Sequence, residues 1–439
     1  MLSSQHAGDQ DPVIAVTADS HVGPLLVEQL RPYCPAAHLD DYDAFIARNA
    51  LNAPFRNYDP NDPRANHPAS DEGTRLVTEL AKTEGHYDMG VRLADMDRDG
   101  VAAEVIFHGS QNAQLFPFID SITGAAFFNP TGEHLELVGV GMHMYNQWLA
   151  DVCSIQPERH VGLAHLPMWD IDAAIAELKW ARQAGLRGVN FPAPRPGVAN
   201  YDDPEWEPFW AACEDLQMPL TTHAGAGDPT SMSGRQRILI LVMEAGGWLC
   251  RRALHRMVFA GVFERHPGLK LVYTELTEDP SDWWGPTLRE FDKFYSRGGW
   301  MLGDQLSKLP SEYVRSNVYI GNSLMHRSES NEAELAIEGG YAANMMWGSD
   351  YPHIEGTFSY SEAGDDESTT RLALRHSFAG TSIDTVRKIA GETAIELYGL
   401  DQAALAAVAK RINAPLPSEF ASAPLNVPEH WVSASVTSL

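Results

Sequence analysis

Histidine and carboxylate side chains stand at four positions that suit a metal ion. Asp19 and His21 form a D-x-H pair, His223 lies in the segment TTHAG, and Asp350 lies in WGSDYPH. Two imidazoles and two carboxylates are suitable ligands for Zn²⁺, Mn²⁺ or Fe²⁺. Residues i and i+2 of an extended segment point to the same side, so Asp19 and His21 can converge on one ion. We therefore predict a divalent metal ion, with zinc expected and manganese or iron as alternatives.

Each of these residues also has a plainer interpretation. D-x-H is a weak motif by itself, a lone His after a strand is usually packed or on the surface, and Asp350 can simply cap a turn. The location of the four residues favours the metal site, because they follow the first, fifth and eighth of the strands that the sequence predicts.

Eight short apolar segments, rich in β-branched residues and bounded by turn residues, are typical of buried strands. They span 13–18, 103–107, 161–166, 188–191, 219–222, 269–276, 318–321 and 344–348. Most are separated by helix-like stretches such as 172–184, which is Ala-rich and stops at Gly185. Strands that alternate with helices in this number predict a (β/α)₈ TIM barrel. A doubly wound sheet is the alternative, but the residues after Ala18 lack its Gly-rich phosphate loop.

Three segments depart from the alternation. Residues 31–95 are rich in Pro, Asn and Asp, and residues 108–134 form a second interruption. We expect both to be insertions in a single barrel over 1–414, and candidate lids, because barrel active sites lie at the C-terminal ends of the strands. Residues 415–439 are Pro- and Ser-rich and are expected to form an extended C-terminal arm.

The net charge and the cysteine content of the chain disfavour some classes of function. The 32 Lys and Arg residues face 59 Asp and Glu residues, so the formal net charge is −27. This charge disfavours binding to nucleic acid or to an anionic membrane surface. The four cysteines are scattered and the N-terminus lacks the layout of a secretory signal, so we expect a cytoplasmic protein with unpaired thiols.

Several stretches resemble the amidohydrolase superfamily, specifically the amidohydrolase 2 branch that includes aminocarboxymuconate-semialdehyde decarboxylase. The stretches are ADSHVGP (18–24), RLADMDRDGVAAEVIF (92–107), LRGVNFPA (186–193), PLTTHAG (219–225), GVFERHPGLKLVYTE (261–275) and MMWGSDYPHIEGTF (345–358). A helix such as 385–401 also typically closes the barrel of this family. The resemblance covers nearly the whole chain.

The resemblance implies particular metal ligands. His21, His223 and Asp350 match ligand positions of the family, and Asp19 stands where the family has a His or Glu. Binuclear members of the superfamily carry a carboxylated Lys after the fourth strand, where this sequence has Asn190. A single metal ion is therefore expected.

The sixth strand departs from the decarboxylase pattern. Decarboxylases of this branch have a His after that strand and a Glu three residues later, and here the corresponding residues are Glu275 and Glu278. A His can donate a proton or balance an anionic substrate near pH 7, whereas a Glu does neither unless burial raises its pKa. The predicted site is thus negative and favours a neutral substrate unless an Arg or Lys joins it.

Three further residues complete the predicted site. His353 is expected to act beside Asp350 in catalysis, and Asn322 and His108 are expected to contact substrate together with Glu278. Packing or a purely structural role is an equally plain interpretation for His353 and His108.

Two reactions and one non-catalytic role remain open. The leading hypothesis is a mononuclear metal-dependent hydrolase of a small, cyclic or aromatic substrate, in which Asp350 accepts the proton of an activated water and Glu275 or His353 orients the substrate. The alternative is a non-oxidative decarboxylase that protonates carbon from Asp350 or a neutral Glu275. A catalytically decayed binding protein is the third. A homodimer is expected, as is common for large barrel enzymes.

Overall fold

The computed structural model describes residues 11–49, 83–112, 114–120, 130, 134–224, 243–244, 247, 249–276, 279–328, 331–353, 355–359 and 368–428. The predicted insertions 31–95 and 108–134 and the predicted arm 415–439 lie partly outside these residues. The division into a barrel and an arm stays a prediction.

Eight parallel strands form one sheet in which each strand pairs with the next one along the chain. The strands are β1 (Ala15–Val22), β2 (Val101–His108), β3 (His160–Ala164), β4 (Gly188–Asn190), β5 (Leu220–His223), β6 (Leu271–Thr274), β7 (Val318–Asn322) and β8 (Met345–Trp347). This order confirms the predicted (β/α)₈ barrel.

Helices connect successive strands and follow the last one. The helices are α1 (Leu39–Asn49), α2 (Met89–Asp99), α3 (Leu135–Cys153), α4 (Ile171–Gln183), α5 (Glu207–Asp215), α6 (Leu249–Phe259), α7 (Val262–Arg265), α8 (Pro280–Gly298), α9 (Pro310–Asn317), α10 (Glu332–Gly339), α11 (Thr369–Ser377), α12 (Ile383–Arg387), α13 (Thr393–Tyr398) and α14 (Gln402–Arg411). Local signals set several of their ends: the Asp170 side chain accepts a hydrogen bond from the Ala173 N–H and caps α4, and α2 stops at Gly100, whose φ of 74° is left-handed. No described helix is long and apolar enough to cross a bilayer.

The sheet closes between β1 and the segment after β8. Ser20 and Tyr351 form an isolated parallel bridge. The His21 N–H donates to the Tyr351 carbonyl at 2.6 Å, and the Asp350 N–H donates to the Asp19 carbonyl at 3.0 Å. Closure of the barrel therefore brings Asp19, His21 and Asp350 to one place.

The first strand is longer than the sequence predicted. We expected Asp19 and His21 to follow a strand over 13–18, but both lie within β1, which pairs with β2 as far as Val22 and His108. The prediction was wrong because the polar residues D-S-H interrupt the apolar run without interrupting the backbone pairing. An irregularity in the register between Thr17 and Ser20 accompanies these residues.

Small and branched side chains fill the inside of the barrel, and larger ones fill the layer between strands and helices. Val16, Val161, Leu163, Val272 and Met346 are fully or almost fully buried inside. The four cysteines are buried and free, which confirms unpaired thiols.

A buried ion pair supports β1 from outside the barrel. The Arg92 guanidinium of α2 donates to both carboxylate oxygens of Glu104 on β2, at 2.6–3.0 Å, and to the His21 carbonyl at 2.7 Å. Nδ1 of His160 lies 3.0 Å from the same carboxylate. Burial alone would raise the pKa of Glu104, but Arg92 and His160 outweigh it and hold the pKa well below its usual range. The network fixes the strand that carries two predicted metal ligands.

We expect Glu104→Gln to lower the free energy of unfolding by about 3 kcal/mol, because it leaves the buried charge of Arg92 without its counter-charge. Urea unfolding at pH 7, with equal metal loading of both proteins, measures this. Asp43→Asn, which removes an exposed partner of Arg31, is the matched control and should change stability by less than about 0.5 kcal/mol.

The effect of Glu104 should also depend on pH. A carboxyl whose pKa is lowered by folding stabilises the protein fully above its unfolded pKa of about 4.3, and this stabilisation is lost as the pH falls from there toward the folded pKa. The difference between wild type and Glu104→Gln should therefore shrink below about pH 4. A difference that is constant from pH 7 to pH 3 would contradict this role.

Candidate metal centre

The predicted ligands meet at the C-terminal mouth of the barrel. Asp19 and His21 come from β1, His223 ends β5, and Asp350 follows β8. Three groups of side chains offer ligand atoms that lie within 4.8 Å of one another: Asp19, His21 and His223; His21, Asp350 and His353; and Asp19, Glu275 and Asp350. The structure thus brings together all four predicted ligands, together with Glu275 and His353.

The distances between the facing atoms match those across the coordination shell of one ion. Nε2 of His21 lies 3.2 Å from Oδ1 of Asp19 and 3.3 Å from Oδ1 of Asp350. Nε2 of His223 lies 3.5 Å from the same oxygen of Asp19 and 3.0 Å from Oε2 of Glu275. Two ligands that are each about 2.1 Å from an ion and roughly perpendicular stand about 3 Å apart. Distances of this size are compatible with ligand atoms that share a single cation.

Hydrogen bonds outside the cluster orient the β1 residues. Oδ2 of Asp19 accepts a hydrogen bond from the Ser323 hydroxyl at 2.6 Å, and Nδ1 of His21 lies 3.3 Å from the carbonyl oxygen of His108. Each contact engages one atom of the side chain and leaves Oδ1 or Nε2 facing the cluster. Outer contacts of this kind fix the tautomer and direction of metal ligands.

The other two imidazoles are held in the same way. Nδ1 of His223 lies 2.8 Å from the Ala224 carbonyl oxygen, so its Nε2 faces the cluster. Nε2 of His353 lies 2.5 Å from the Gly109 carbonyl oxygen, and its Nδ1 faces Asp350 at 2.8 Å. The rings of His21 and His353 stack with centroids 3.8 Å apart.

Among the residues that the structure describes, the inward atoms of the cluster have no aligned hydrogen-bond partners and are buried. This is true of Oδ1 of Asp19, Nε2 of His21 and of His223, both carboxylate oxygens of Asp350, and Nδ1 of His353. Buried polar atoms are rarely left unpaired, because each costs about 1–3 kcal/mol. A divalent cation would satisfy the carboxylate oxygens and imidazole nitrogens together, so the residues fit a metal ion.

The electrostatics of the cluster also favour a cation. Burial raises the pKa of Asp19, but His223 and His21 outweigh burial and bring that pKa well below its ordinary value. Burial lowers the pKa of His223, but Asp19 and Glu275 outweigh it and bring that pKa well above its ordinary value. Burial and the charge of Asp350 raise the pKa of Glu275 to about 7. The carboxylates concentrate negative charge that positive charge must balance.

Two of the residues that carry these carboxylates have an unusual backbone conformation. Glu275, which follows β6, and Asp350 both have a φ of 52°, in the left-handed region that residues with a Cβ rarely adopt. Such conformations cost about 1–3 kcal/mol and cluster at functional sites. Gly348 adds a tight approach, because a Cβ there would lie 2.5 Å from Oγ of Ser323 and 3.0 Å from Cβ of Asp19. The segment after β8 therefore combines an uncommon backbone conformation with close packing against the cluster.

The structure places two of the three residues that were predicted to contact substrate, and the third lies outside the described residues. The Asn322 amide is engaged by the Glu332 carboxylate, to which it donates, and by the Leu324 N–H, from which it accepts at 3.1 Å. The side chain of His108 packs against Phe116. Glu278 lies outside the described residues. Contact of these three residues with substrate stays a prediction, as do the catalytic roles of Asp350, Glu275 and His353.

Arg327, a cation within electrostatic range of the cluster, was not among the predicted site residues. Arg327 lies in a short 3₁₀ turn (Met325–Arg327) after β7 and is half-buried. Burial lowers its pKa, whereas the charges of Glu355, Asp350 and Glu275 raise it, which places the guanidinium within electrostatic range of the site. The sequence feature that could have identified this residue is an Arg in the loop that follows a predicted barrel strand.

A closed (β/α)₈ barrel with imidazoles and carboxylates gathered at its C-terminal mouth defines a class of metal-dependent barrel enzymes. The particular family follows from comparison with known sequences. The chain belongs to the amidohydrolase family, because the model of that family matches residues 133–400. The resemblance that the sequence motifs indicated is therefore confirmed.

The similar curated proteins include decarboxylases. A gamma-resorcylate decarboxylase of Rhodococcus jostii (strain RHA1) is 26% identical over 263 residues, which are 54% of this chain and 74% of that protein. A 2-amino-3-carboxymuconate-6-semialdehyde decarboxylase of Dictyostelium discoideum is 27% identical over 194 residues, which are 43% of this chain and 47% of that protein.

The solved structures support the fold. A 5-carboxyvanillate decarboxylase of Novosphingobium aromaticivorans, complexed with manganese and a nitrobenzoic acid, has a TM-score of 0.59 and 19% identity, and covers 88% of this chain and 96% of its own. An amidohydrolase of Mycobacterium avium subsp. paratuberculosis has a TM-score of 0.61 and 18% identity, and covers 88% of this chain and 99% of its own.

We expect Ser323→Ala to weaken Mn²⁺ binding about 10- to 100-fold, because it keeps every inward ligand atom but releases Oδ2 of Asp19 from its outer hydrogen bond. Calorimetric titration of metal-free protein with MnCl₂ measures the affinity. Ser316→Ala, which removes a hydroxyl bonded to the Glu312 carbonyl on α9, is the control and should bind Mn²⁺ like wild type. Equal affinities for all three proteins would refute the assignment of Asp19.

Proposed function

We propose that this chain is a metal-dependent, non-oxidative decarboxylase that releases CO₂ from a small aromatic or unsaturated carboxylic acid. The observation that carries the proposal is the buried cluster of Asp19, His21, His223 and Asp350, whose unpartnered atoms face one another. The activities named for the similar proteins favour decarboxylation over the hydrolysis that we expected first.

The four residues of the cluster would hold one divalent ion. Solved relatives of the same fold contain manganese, so manganese is the proposed ion in place of the expected zinc. When bound, such an ion supplies a Lewis acid that polarises a substrate oxygen. His21 and His223 would contribute nitrogens, and Asp19 and Asp350 would contribute carboxylate oxygens; outer contacts orient His21, His223 and Asp19.

An acidic site repels an anionic substrate, and the positive charge of Arg327 reduces this repulsion. The cluster and its rim contain the carboxylates of Asp19, Glu275, Asp350 and Glu355, which alone would repel a carboxylate. A guanidinium within range of three of them lowers this repulsion and offers a fork that matches a carboxylate. Arg327 is proposed as the residue that positions the substrate anion.

Glu275 is the carboxyl best placed to move a proton. Its side chain is 14% exposed, whereas Asp19 and Asp350 are fully buried. In the reaction the bond between the ring carbon and the carboxylate breaks, CO₂ leaves, and the ring carbon gains one proton. Glu275 gives that proton and regains one from solvent. His353, 2.8 Å from Asp350, holds that ligand in place rather than reaching the carbon.

The direct test is CO₂ release from a panel of hydroxylated benzoic acids by manganese-loaded wild type. We expect Glu275→Gln to lower kcat at least about 100-fold, because general acid catalysis typically contributes at least that factor. The same variant should retain its manganese content, which elemental analysis checks. Glu290→Gln, on the exposed face of α8, is the control.

Other outcomes of this assay decide between the hypotheses. Turnover of esters, lactones or amides, without CO₂ release from any acid, would support the hydrolase hypothesis instead. Less than about one metal ion per chain in gently purified protein would favour a decayed binding protein. The homodimer and the cytoplasmic location remain predictions from the sequence.

We expect Arg327→Met to raise KM for carboxylate substrates about 10- to 100-fold with a smaller change in kcat, because it removes a charged hydrogen-bond donor from the bound anion. Arg327→Lys should be intermediate, since it restores the charge but not the fork. Steady-state kinetics measure both parameters, and Arg31→Met on the surface serves as control. An unchanged KM in Arg327→Met would exclude this role.

A further inference from the structure

A cavity of about 440 Å³ lies between α3 and α4 and opens to solvent. Glu136 and His143 of α3 line it on one side, and Glu177 and Trp180 of α4 line it on the other. The loop that follows β3 adds Trp169. Pockets that bind small molecules measure roughly 300–1,000 Å³, so this cavity is large enough for one. None of its lining residues belongs to the proposed metal centre.

Small side chains leave the space between the two helices open. Gly139 of α3 and Ala173 and Ala176 of α4 line the cavity. Ala173, Ala176 and Trp180 follow the spacing of a single helix face. Longer side chains at the three small positions would fill the gap, because neighbouring helices normally pack without voids. The cavity is therefore a consequence of the residues on the two facing helices.

Hydrogen bonds order one wall of the cavity. Oε1 of Glu177 accepts a hydrogen bond from Nδ2 of Asn146 at 2.8 Å, and Oε2 of Glu177 lies 2.9 Å from Nδ1 of His143. Asn146 also donates to the His165 carbonyl at 2.8 Å and accepts from the His165 N–H at 2.9 Å, which ties the wall to the segment after β3. The ring of His143 packs against that of Trp180, with centroids 4.6 Å apart. Ordered walls lower the entropic cost of binding a ligand.

The lining of the cavity is acidic. Glu136, Asp170 and Glu177 line it, and no lining residue that the structure describes is a Lys or an Arg. The hydrogen bond with Glu177 outweighs burial and raises the pKa of His143, so the cavity already favours positive charge on that ring. Glu136 and Asp170 form no ion pair within the described part of the chain. Their two charges are therefore available to balance a cation.

Two indole rings, of Trp169 and Trp180, accompany these carboxylates. The face of an indole attracts a cation, and it attracts an organic ammonium group in particular because that group also has apolar surface to bury. An anion would be repelled by the carboxylates. A metal ion is disfavoured, because the described groups of side chains that could hold one all lie at the metal centre. An organic cation is the ligand that both features of the lining favour.

We propose that the cavity between α3 and α4 is a second binding site, which takes a small organic cation such as a quaternary ammonium compound. Trp169 and Trp180 contact the cationic group, and Glu136 and Asp170 balance its charge. The volume of the cavity favours a free small molecule. The proposal does not rest on the decarboxylation proposed above, because it involves none of the residues of the metal centre.

The test compares two ligands of nearly the same shape that differ in charge. Choline and 3,3-dimethylbutan-1-ol are titrated by calorimetry into manganese-loaded wild type at pH 7. Choline should bind at least about tenfold more tightly, since only the cation is attracted by the carboxylates and the indole rings. Trp169→Leu and Trp180→Leu should each weaken choline binding about 3- to 30-fold. Trp300→Leu is their control, because Trp300 is 80% exposed in a short turn after α8.

A second pair of variants tests the charge without removing an aromatic ring. Asp170→Asn should weaken choline binding about threefold, and it keeps a side chain that can cap α4. Asp172→Asn is the matched control, because Asp172 lies in the first turn of the same helix but does not line the cavity. It should leave the dissociation constant of choline as it is.

Three results would overturn the proposal. The first is equal binding of choline and its neutral analogue, and the second is no binding of choline at millimolar concentration. The third is choline binding that neither Trp169→Leu nor Trp180→Leu changes, because the cation would then bind at another acidic place such as the metal centre. Each of these results leaves the assay of CO₂ release unaffected, so the two proposals fail separately.

Discussion

The structure depends on the burial of two carboxylates, Asp19 and Asp350, beside each other at the point where the barrel closes. Like charges in a buried site repel, and each loses its hydration, so the pair is tolerable only with positive charge between or around it. Backbone bonds between β1 and the segment after β8 force the two residues together. The imidazoles, their outer hydrogen bonds and the left-handed backbone of Asp350 follow from this constraint.

The mouth of the barrel is divided by charge. Glu275 and Asp350 follow β6 and β8, with Arg327 after β7, whereas the uncharged amide of Asn190 at the end of β4 donates to His165 after β3. In the function that we propose, Arg327 supplies positive charge near Glu275, which stands where decarboxylases of this branch have a His.

Much of the fold and of the metal centre was predictable from sequence. The apolar strands identified the barrel, and the D-x-H pair, His223 and Asp350 were recognisable as candidates because active-site residues of barrel enzymes lie at the C-terminal ends of the strands. Arg327 was not singled out, because an Arg in a loop after a barrel strand is a weak signal, and the direction of its side chain depends on how that loop folds. The extent of β1 was also missed, because pairing with β2 continues through polar residues.

The central claim is that one cation binds between strands that are distant in the chain. Anomalous diffraction at the manganese edge, on crystals of manganese-loaded protein, tests it most directly. We predict a single peak, about 2.0–2.3 Å from Oδ1 of Asp19, Nε2 of His21, Nε2 of His223 and an oxygen of Asp350. No peak at this position, or a peak that excludes both histidines, would contradict the account.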